Sequence, residues 1–265
     1  MGWEWNVLYL FSLEHNSPEL QPPAQFFGLN RVHLVDMTTR RGSGARSPER
    51  RSYEDGCAAA HALDLIGERW ALLVVRELLL GPRRFTDLKT TLPGISATVL
   101  TQRLIDLEGI GVLRREPLPA PASGSMYALT PWGHELEPVL MQLGRWGAQS
   151  PFKPPAPISL ATLITAQRTM FSAPAAAGIE ATVALHVGRE QFTARVVEGT
   201  LELHPGSGPA DVTLSGDVAT LGGVIFGGLP LETAEADGLL RVQGDRDLAA
   251  RYVTLFPLPP TIAPS

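Results

Sequence analysis

The sequence predicts an α+β chain of two folded domains, and three observations support this prediction. Apolar residues recur at helical spacing through residues 57–149. Apolar and polar residues alternate through residues 179–204, as in half-buried strands. Between these regions, residues 150–159 contain four prolines, which favour an extended linker. We therefore place the first domain at residues 53–149 and the second at residues 160–260.

Composition excludes several classes of protein. A hydrophobic content of 44% is enough for a core, and a formal net charge of −5 argues against a basic nucleic-acid coat protein. The single cysteine, Cys57, excludes a disulfide-stapled domain and a cysteine-rich zinc module. No apolar run reaches the roughly 18 residues of a membrane helix. A secretory signal begins with basic residues, whereas this sequence has none before Arg31. We therefore expect a cytoplasmic protein with no membrane partner.

Residues 1–52 show no sustained periodicity, and we predict a basic tail without a fixed fold there. The basic part is residues 31–52, where six arginines stand against two acidic residues. Met37 is an alternative translation start, in which case residues 1–36 would not belong to the native protein.

Four helices are predicted at the start of the first domain. The first runs from about Ala58 to Ile66, and the second follows residues 70–79 and ends at Gly81-Pro82. A short third helix is expected from the N-cap candidate Thr86. The fourth helix has Ser96 as its N-cap candidate. Its buried stripe is assigned to Val99, Leu100, Leu104 and Leu107.

The outer face of this fourth helix suits the major groove of DNA, because its side chains are small or carry hydroxyl and amide groups. They are Ala97, Thr98, Thr101, Gln102 and Ile105. Two strand-like runs follow, Val112 to Glu116 and Met126 to Leu129, around a loop. A last helix carries an apolar stripe of the kind that packs against a second copy: Leu136, Leu140, Leu143 and Trp146. This order of elements describes a helix-turn-helix with a wing.

The run DLIGERWALLVVRELLLGPRRFTDLKTTLPGISATVLTQRLIDLEGIGVLRRE, followed by YALTPWGHEL, resembles the HxlR-type winged-helix transcriptional regulators, relatives of the MarR group. The resemblance covers about residues 55–148. It implies a homodimer that binds palindromic operator DNA, with repression as the usual outcome. It also implies that the dimer is built from the first and last helices, here about residues 58–66 and 132–146.

Local charge supports contact with DNA, since residues 81–115 hold six bases against three acids. We predict that Arg83, Arg84 and Lys89 bind phosphates. Five residues are predicted to lie on or beside the helix that enters the major groove: Ser96, Thr98, Thr101, Gln102 and Arg103. Arg114 and Arg115 are predicted to contact DNA from the base of the wing. The alternative for each of these residues is a solvated polar surface.

Cys57 has two interpretations. It stands where HxlR-type redox sensors carry their reactive thiol, at the start of the first helix, and a helix N-terminus lowers the pKa of a thiol. The alternative is a small apolar residue in an alanine-rich helix.

The second domain is predicted to begin with a helix at residues 160–172, followed by three antiparallel strands. A fourth strand-like run leads into the glycine-rich segment VATLGGVIFGG. The remaining predicted elements are a short helix, a strand and a last helix, at Leu231–Ala236, Leu239–Gln243 and Asp245–Leu255.

This order of elements resembles the sterol-carrier-protein-like fold over about residues 168–258. The resemblance implies a hydrophobic tunnel between sheet and helices, for a hydrophobic small molecule or lipid. The candidate lining residues are Leu221, Val224, Ile225, Phe226, Leu229 and Phe256. Ordinary core packing is the alternative for each of them.

The sequence offers little support for catalysis, because it contains no Gly-x-Ser-x-Gly elbow and no zinc-protease helix. We expect neither an enzyme nor a metal site, and no cofactor. The prediction is a dimeric DNA-binding regulator whose affinity for its operator responds to a hydrophobic ligand. Two alternatives stay open: a lipid-binding or transfer protein that uses the winged helix mainly to dimerise, and a regulator that senses oxidants through Cys57.

Overall fold

The computed structural model describes residues 52–118, 123–154 and 156–263. The predictions for the tail, including Met37 and the arginines of residues 31–51, lie outside the described residues, as does the tip of the wing. Among the residues that are described, no helix combines the length and the apolar character that crossing a membrane would require.

The N-terminal domain is a helical core with a small antiparallel sheet. Its helices are α1 (Ala58–Ile66), α2 (Ala71–Leu78), α3 (Phe85–Thr91), α4 (Ala97–Gly109), α5 (Pro131–His134) and α6 (Leu136–Ala148). Its strands are β1 (Arg83–Arg84), β2 (Leu113–Pro117) and β3 (Ser125–Leu129), in the order β1-β3-β2. Leu78, Leu88 and Leu104 are buried in the core that α2, α3 and α4 share. This arrangement is a helix-turn-helix with a wing.

Two local features of this domain differ from the sequence prediction. Arg83 and Arg84 form a short strand that pairs with Tyr127 and Met126, which adds a third strand to the predicted hairpin. Helix α3 is capped at Arg84 and not at Thr86. The reason is that the carboxylate of Asp87 accepts the backbone N–H of Arg84 at 3.1 Å.

The C-terminal domain packs helices against a mixed five-stranded sheet. The helices are α7 (Leu160–Met170), α8 (Val218–Phe226), α9 (Leu231–Ala236) and α10 (Arg246–Val253). The strands are β4 (Ala181–Val187), β5 (Glu190–Val197), β6 (Thr200–Pro205), β7 (Val212–Gly216) and β8 (Arg241–Gly244). Their order is β6-β5-β4-β7-β8, with β4 and β7 parallel and the other pairs antiparallel. The predicted order of elements is therefore present.

The core of this domain contains one buried polar pair. The hydroxyl of Tyr252 on α10 donates to Oε1 of Gln167 on α7 at 2.7 Å, and both residues are buried. Burial raises the pKa of the Tyr252 phenol. Because the hydroxyl stays protonated and has a partner, burial of this polar group is compensated.

The segment predicted as an extended linker packs between the two domains. Ile158 lies against α8, where a Cβ on Gly222 would be only 3.1 Å from the Cδ1 of Ile158. Helix α7 packs against both α2 and α6. Leu80, just after α2, is part of the C-terminal hydrophobic core. The two predicted domains therefore share an extensive packed interface.

Candidate functional site

Helix α4 presents the polar surface that its spacing predicts. Ser96 caps the helix by accepting the N–H of Val99 at 3.2 Å, while Leu100, Leu104 and Leu107 face the core. The five side chains predicted on the outer face are exposed: Ala97, Thr98, Thr101, Gln102 and Ile105. Val99, which we assigned to the buried stripe, is 38% exposed. It lies at the edge of that stripe, about 100° around the helix from Leu100.

Arg103 differs most from its predicted role. Its side chain is only 15% exposed and forms ion pairs with Glu68, before α2, and with Asp106, one turn along α4. The distances are 3.7 Å and 3.1 Å. Its Nε–H is buried without a hydrogen-bond partner among the residues that the structure describes. Arg103 therefore connects α4 to the residues before α2, and its role in reading base edges stays a prediction.

Three basic residues were predicted to bind phosphate at the edge of the helix-turn-helix, and the structure separates them. Arg84 and Lys89 are exposed. Arg83 forms an ion pair with Glu190 of the C-terminal domain, with its Nη1 3.3 Å from Oε1. Arg83 therefore connects the wing to the second domain, and this contact competes with phosphate.

The two wing arginines have partners within the wing. Arg114 donates to Glu116 at 2.7 Å and to the carbonyl oxygen of Leu129 at 3.1 Å. Arg115 donates to the hydroxyl of Ser125 at 2.7 Å, and its guanidinium lies over the ring of Tyr127. These contacts hold both arginines at the base of the wing, where Arg114 is paired with a carboxylate and Arg115, within the described part of the chain, is not.

Cys57 is the N-cap residue of α1, and its side chain is fully exposed. The backbone N–H groups of Ala60 and, to a lesser extent, Ala59 lower the pKa of the thiol. A lowered pKa increases the thiolate fraction at neutral pH, which is the nucleophilic form.

Helix α6 divides its apolar stripe between two environments. Leu136 and Leu140 pack against the core of the N-terminal domain. Leu143 is 47% exposed and Trp146 is 70% exposed, and Val139 on the same helix is also exposed. A monomer that leaves several large apolar side chains in water on one helix has a surface suited to a partner.

A cavity of about 710 Å³ lies between the two domains. Its first wall comes from α2 and α6, with Leu73, Leu140 and Gly144 among the lining residues. The opposite wall comes from the outer face of α7, through Thr162, Thr165, Ala166 and Thr169. The linker and the start and end of α8 complete the lining.

The cavity does not coincide with the ligand site predicted inside the C-terminal domain, and that site stays a prediction. Of the six predicted residues, only Phe226 lines the cavity. Leu221, Val224, Ile225 and Phe256 are buried in the hydrophobic core, and Leu229 packs against it. The prediction missed the α7 face, although hydroxyl and small residues at spacings of three and four opposite an apolar stripe were a visible signal.

Polar contacts surround the cavity and join its two walls. The buried carboxylate of Glu77 on α2 accepts the hydroxyl of Ser159, which caps α7, at 2.9 Å. Arg168 on α7 pairs with Glu137 on α6 at 2.6 Å. Arg145 on α6 donates to the carbonyl oxygen of Thr169.

Sequence comparisons agree with this architecture. The model of the HxlR-like helix-turn-helix family matches residues 65–153, and that of the SCP-2 sterol transfer family matches residues 163–257. The uncharacterized HTH-type transcriptional regulator YvaP of Bacillus subtilis is 36% identical over 88 residues, which are 33% of this chain and 82% of that protein. The uncharacterized HTH-type transcriptional regulator sll1512 of Synechocystis is 39% identical over 98 residues, covering 36% and 73% respectively.

Among solved structures, the reduced form of the transcriptional regulator YodB from B. subtilis is 34% identical, covering 38% of this chain and 97% of that one, with a TM-score of 0.33. The helix-turn-helix, its wing, the match to the HxlR-like family and the relatives YvaP and sll1512 define a winged-helix transcriptional regulator. The chain belongs to the HxlR-like helix-turn-helix family, and it carries a C-terminal domain of the SCP-2 type.

Proposed function

We propose that the chain is a homodimeric regulator, acting as a repressor, that binds a palindromic operator and releases it in response to a hydrophobic small molecule. The observation that carries this proposal is the outer face of α4, where Thr98, Thr101 and Gln102 are exposed. The Gln102 amide donates to Asp106 at 2.8 Å, so it would exchange this partner for a base edge. Arg84 and Lys89 are exposed as well. Amide and hydroxyl groups pair with base edges in the major groove, while lysine and arginine neutralise phosphates.

Dimerisation is supported by the apolar side chains that α6 exposes. Leu143, which also lines the cavity between the domains, and Trp146 are exposed although both are large and apolar. Packing α6 against its copy about a two-fold axis would bury them and would place two α4 helices at symmetric half-sites. Half-sites about one turn of DNA apart, roughly 10 base pairs, are then expected.

Selection from a random duplex library tests DNA recognition by the full chain. We expect the selected duplexes to share an inverted repeat, and we expect the bound protein to protect this repeat in a footprint. Gln102→Ala should lose about 1–3 kcal/mol of discrimination at one base pair of each half-site. Gln243→Ala, an exposed glutamine of the C-terminal domain, is the matched control. Binding with no enriched sequence would contradict operator recognition, and a reporter driven through the selected site would establish repression or activation.

The ligand response is tested by native mass spectrometry of protein purified from its own host, because this measurement reports the dimer and any retained molecule together. A bound molecule that changes affinity for the selected operator by about 1–3 kcal/mol would match typical coupling between two sites. Retained lipid together with DNA binding that salt abolishes at every sequence would instead favour a lipid carrier.

A thiol switch is a second candidate function, favoured by the lowered pKa of the exposed Cys57 thiol. Oxidation would proceed through a disulfide between subunits or with a small thiol, because the chain has no second cysteine. We expect peroxide to weaken operator binding, and Cys57→Ser to remove that sensitivity while leaving basal binding intact. Equal sensitivity of both proteins to peroxide would eliminate the thiol switch.

A further inference from the structure

We infer that the effector of this regulator is an apolar molecule with an anionic head group, and that it binds in the cavity between the two domains. This inference rests on the proposed function and gives it a site. The cavity of about 710 Å³ has the size of a small-molecule site, typically about 300–1,000 Å³. It lies beside the winged helix, so its occupant would touch both domains.

The α7 wall is apolar in effect despite its three threonines. The hydroxyl of Thr165 donates to the carbonyl oxygen of Ala161 at 2.7 Å, and that of Thr169 donates to the carbonyl oxygen of Thr165 at 2.7 Å. The hydroxyl of Thr162 is 3.1 Å from that of Ser159. Because these donors are satisfied within their own helix, the methyl groups and Ala166 are available to an apolar ligand.

The charged lining residues favour an anion. Glu137 is already paired with Arg168. Arg76 donates from Nε and Nη2 to Glu77, which leaves its Nη1 without a partner among the described residues. Lys153 lies at the cavity with no ion-pair partner within residues 52–118, 123–154 and 156–263. Arg76 and Glu137 are thus each neutralised by an ion pair, and Lys153 is the lining charge that has no partner among the described residues.

The surrounding contacts supply a route from this site to DNA. The cavity lies against α2, which packs directly on α4, and against α6, whose apolar side chains are the proposed dimer surface. A ligand wedged between α6 and α7 would act on the contacts of Glu137 with Arg168 and of Arg145 with Thr169. Occupancy would thus change the position of α6, and with it the spacing of the two recognition helices.

Two fluorescent probes of the same ring skeleton test this site in the full-length protein. Anilinonaphthalene sulfonate carries an anionic group, and its parent phenylnaphthylamine is uncharged. We expect Ala166→Phe, which places a ring in the cavity, to weaken binding of both probes by at least about tenfold. Ala250→Phe makes the same change at an exposed position of α10 and should leave binding unchanged.

The head group is tested by Lys153→Met. The preference for the sulfonate over its uncharged parent should fall about two- to fivefold, the strength of a partly exposed ion pair. A diazirine derivative of the sulfonate should label peptides of α6 and α7. This labelling tests the site even if Ala166→Phe fails to fold.

Other outcomes overturn the inference and can be told apart from failure of the proposed function. If the diazirine probe labelled α10 and the Ala166→Phe variant bound both probes as tightly as the wild type, the ligand site would lie inside the C-terminal domain. Probe affinity that falls as dimer forms would show that a second copy covers the cavity. Absence of probe binding would remove the site, yet operator selection would still succeed. If Ala166→Phe abolished probe binding but the probe did not change the operator affinity of the wild type, the site would be supported. Its role in regulating DNA binding would be contradicted.

Discussion

Helices α4 and α7 present the same kind of side chain on their outer faces and use it differently. On α4, the hydroxyls of Thr98 and Thr101 are exposed and make no hydrogen bond within the described residues. On α7, the hydroxyls of Thr165 and Thr169 donate to carbonyl groups of their own helix. The first face can therefore bind a polar partner, whereas the second presents methyl groups. The hydrogen-bonding state of a threonine, more than its position on a helix, decides which surface it makes.

The largest expected effect concerns the interior behind α7. Phe256 contacts the rings of Phe171, Phe226 and Tyr252 and is almost completely buried. Phe256→Ala should lower the free energy of unfolding by about 3–5 kcal/mol, because it removes a packed ring and leaves a cavity. Urea unfolding measures this change. If the variant kept the stability of the wild type but bound the probes differently, Phe256 would belong to a ligand site. The interior of the domain and the cavity would then not be separate.

The caps of α4 and α8 should differ in their response to acid. Ser96 and Asp217 each accept a backbone N–H three residues ahead, so replacing either by alanine should cost about 1 kcal/mol. The N–H of Thr220 lowers the pKa of the Asp217 carboxyl. The stabilisation from Asp217 is therefore present above the carboxyl's unfolded pKa and is lost as the pH falls through its folded value.

Unfolding curves at neutral and acidic pH measure this difference. The difference in free energy of unfolding between wild type and Asp217→Ala should become smaller toward low pH. The corresponding difference for Ser96→Ala should not follow the titration of a carboxyl group. A gap for Asp217→Ala that is independent of pH would refute the role assigned to its charge.

The two threonine faces can be compared directly by the isosteric change of threonine to valine. Thr101→Val removes a hydroxyl from the face of α4 that we propose binds DNA, and it should weaken operator binding by about 1 kcal/mol, roughly fivefold. Thr165→Val should leave operator binding unchanged, because its hydroxyl is satisfied within α7. Titration of the selected operator measures both variants. Equal effects would mean that the contrast between α4 and α7 is not functional.

The smallest effect at physiological salt is expected from Lys89. Lys89→Ala should weaken binding similarly at all sequences and reduce the slope of log affinity against log salt by about 1 per contacted phosphate. Binding across a salt series measures the slope. Arg83→Ala should change it less, since Arg83 is engaged with Glu190. A larger change for Arg83 than for Lys89 would mean that this ion pair opens on DNA.

The sequence predicted the exposed face of α4 better than the position of the cavity, for a physical reason. Apolar residues at helical spacing identify the buried stripe of α4, so its polar residues had to face outward. The ion pair of Arg103 could not be predicted in this way, because its partner Glu68 lies in the turn between α1 and α2, and spacing along α4 does not reveal such contacts.

The cavity could not be located in the same way. Lining residues such as Leu73 and Leu140 have the same apolar chemistry as core residues such as Leu221. The difference between them depends on how α2, α6 and α7 meet across two domains. The composition of the proline-rich linker predicted that it would extend between two separate domains. In the structure, however, Ile158 of the linker packs against Gly222 of α8.

The position of Leu80 affects how this protein could be taken apart or recombined. A side chain that follows α2 completes the hydrophobic core of the C-terminal domain, and Ser159, which caps α7, is held by Glu77 of α2. Cutting the chain within residues 153–163 would therefore leave an apolar hole in one fragment. In the other, the Glu77 carboxylate would lose the Ser159 hydroxyl and keep only Arg76 as its partner. A functional transplant of the C-terminal domain to another winged helix would have to carry the matching surface of α2 and α6 with it.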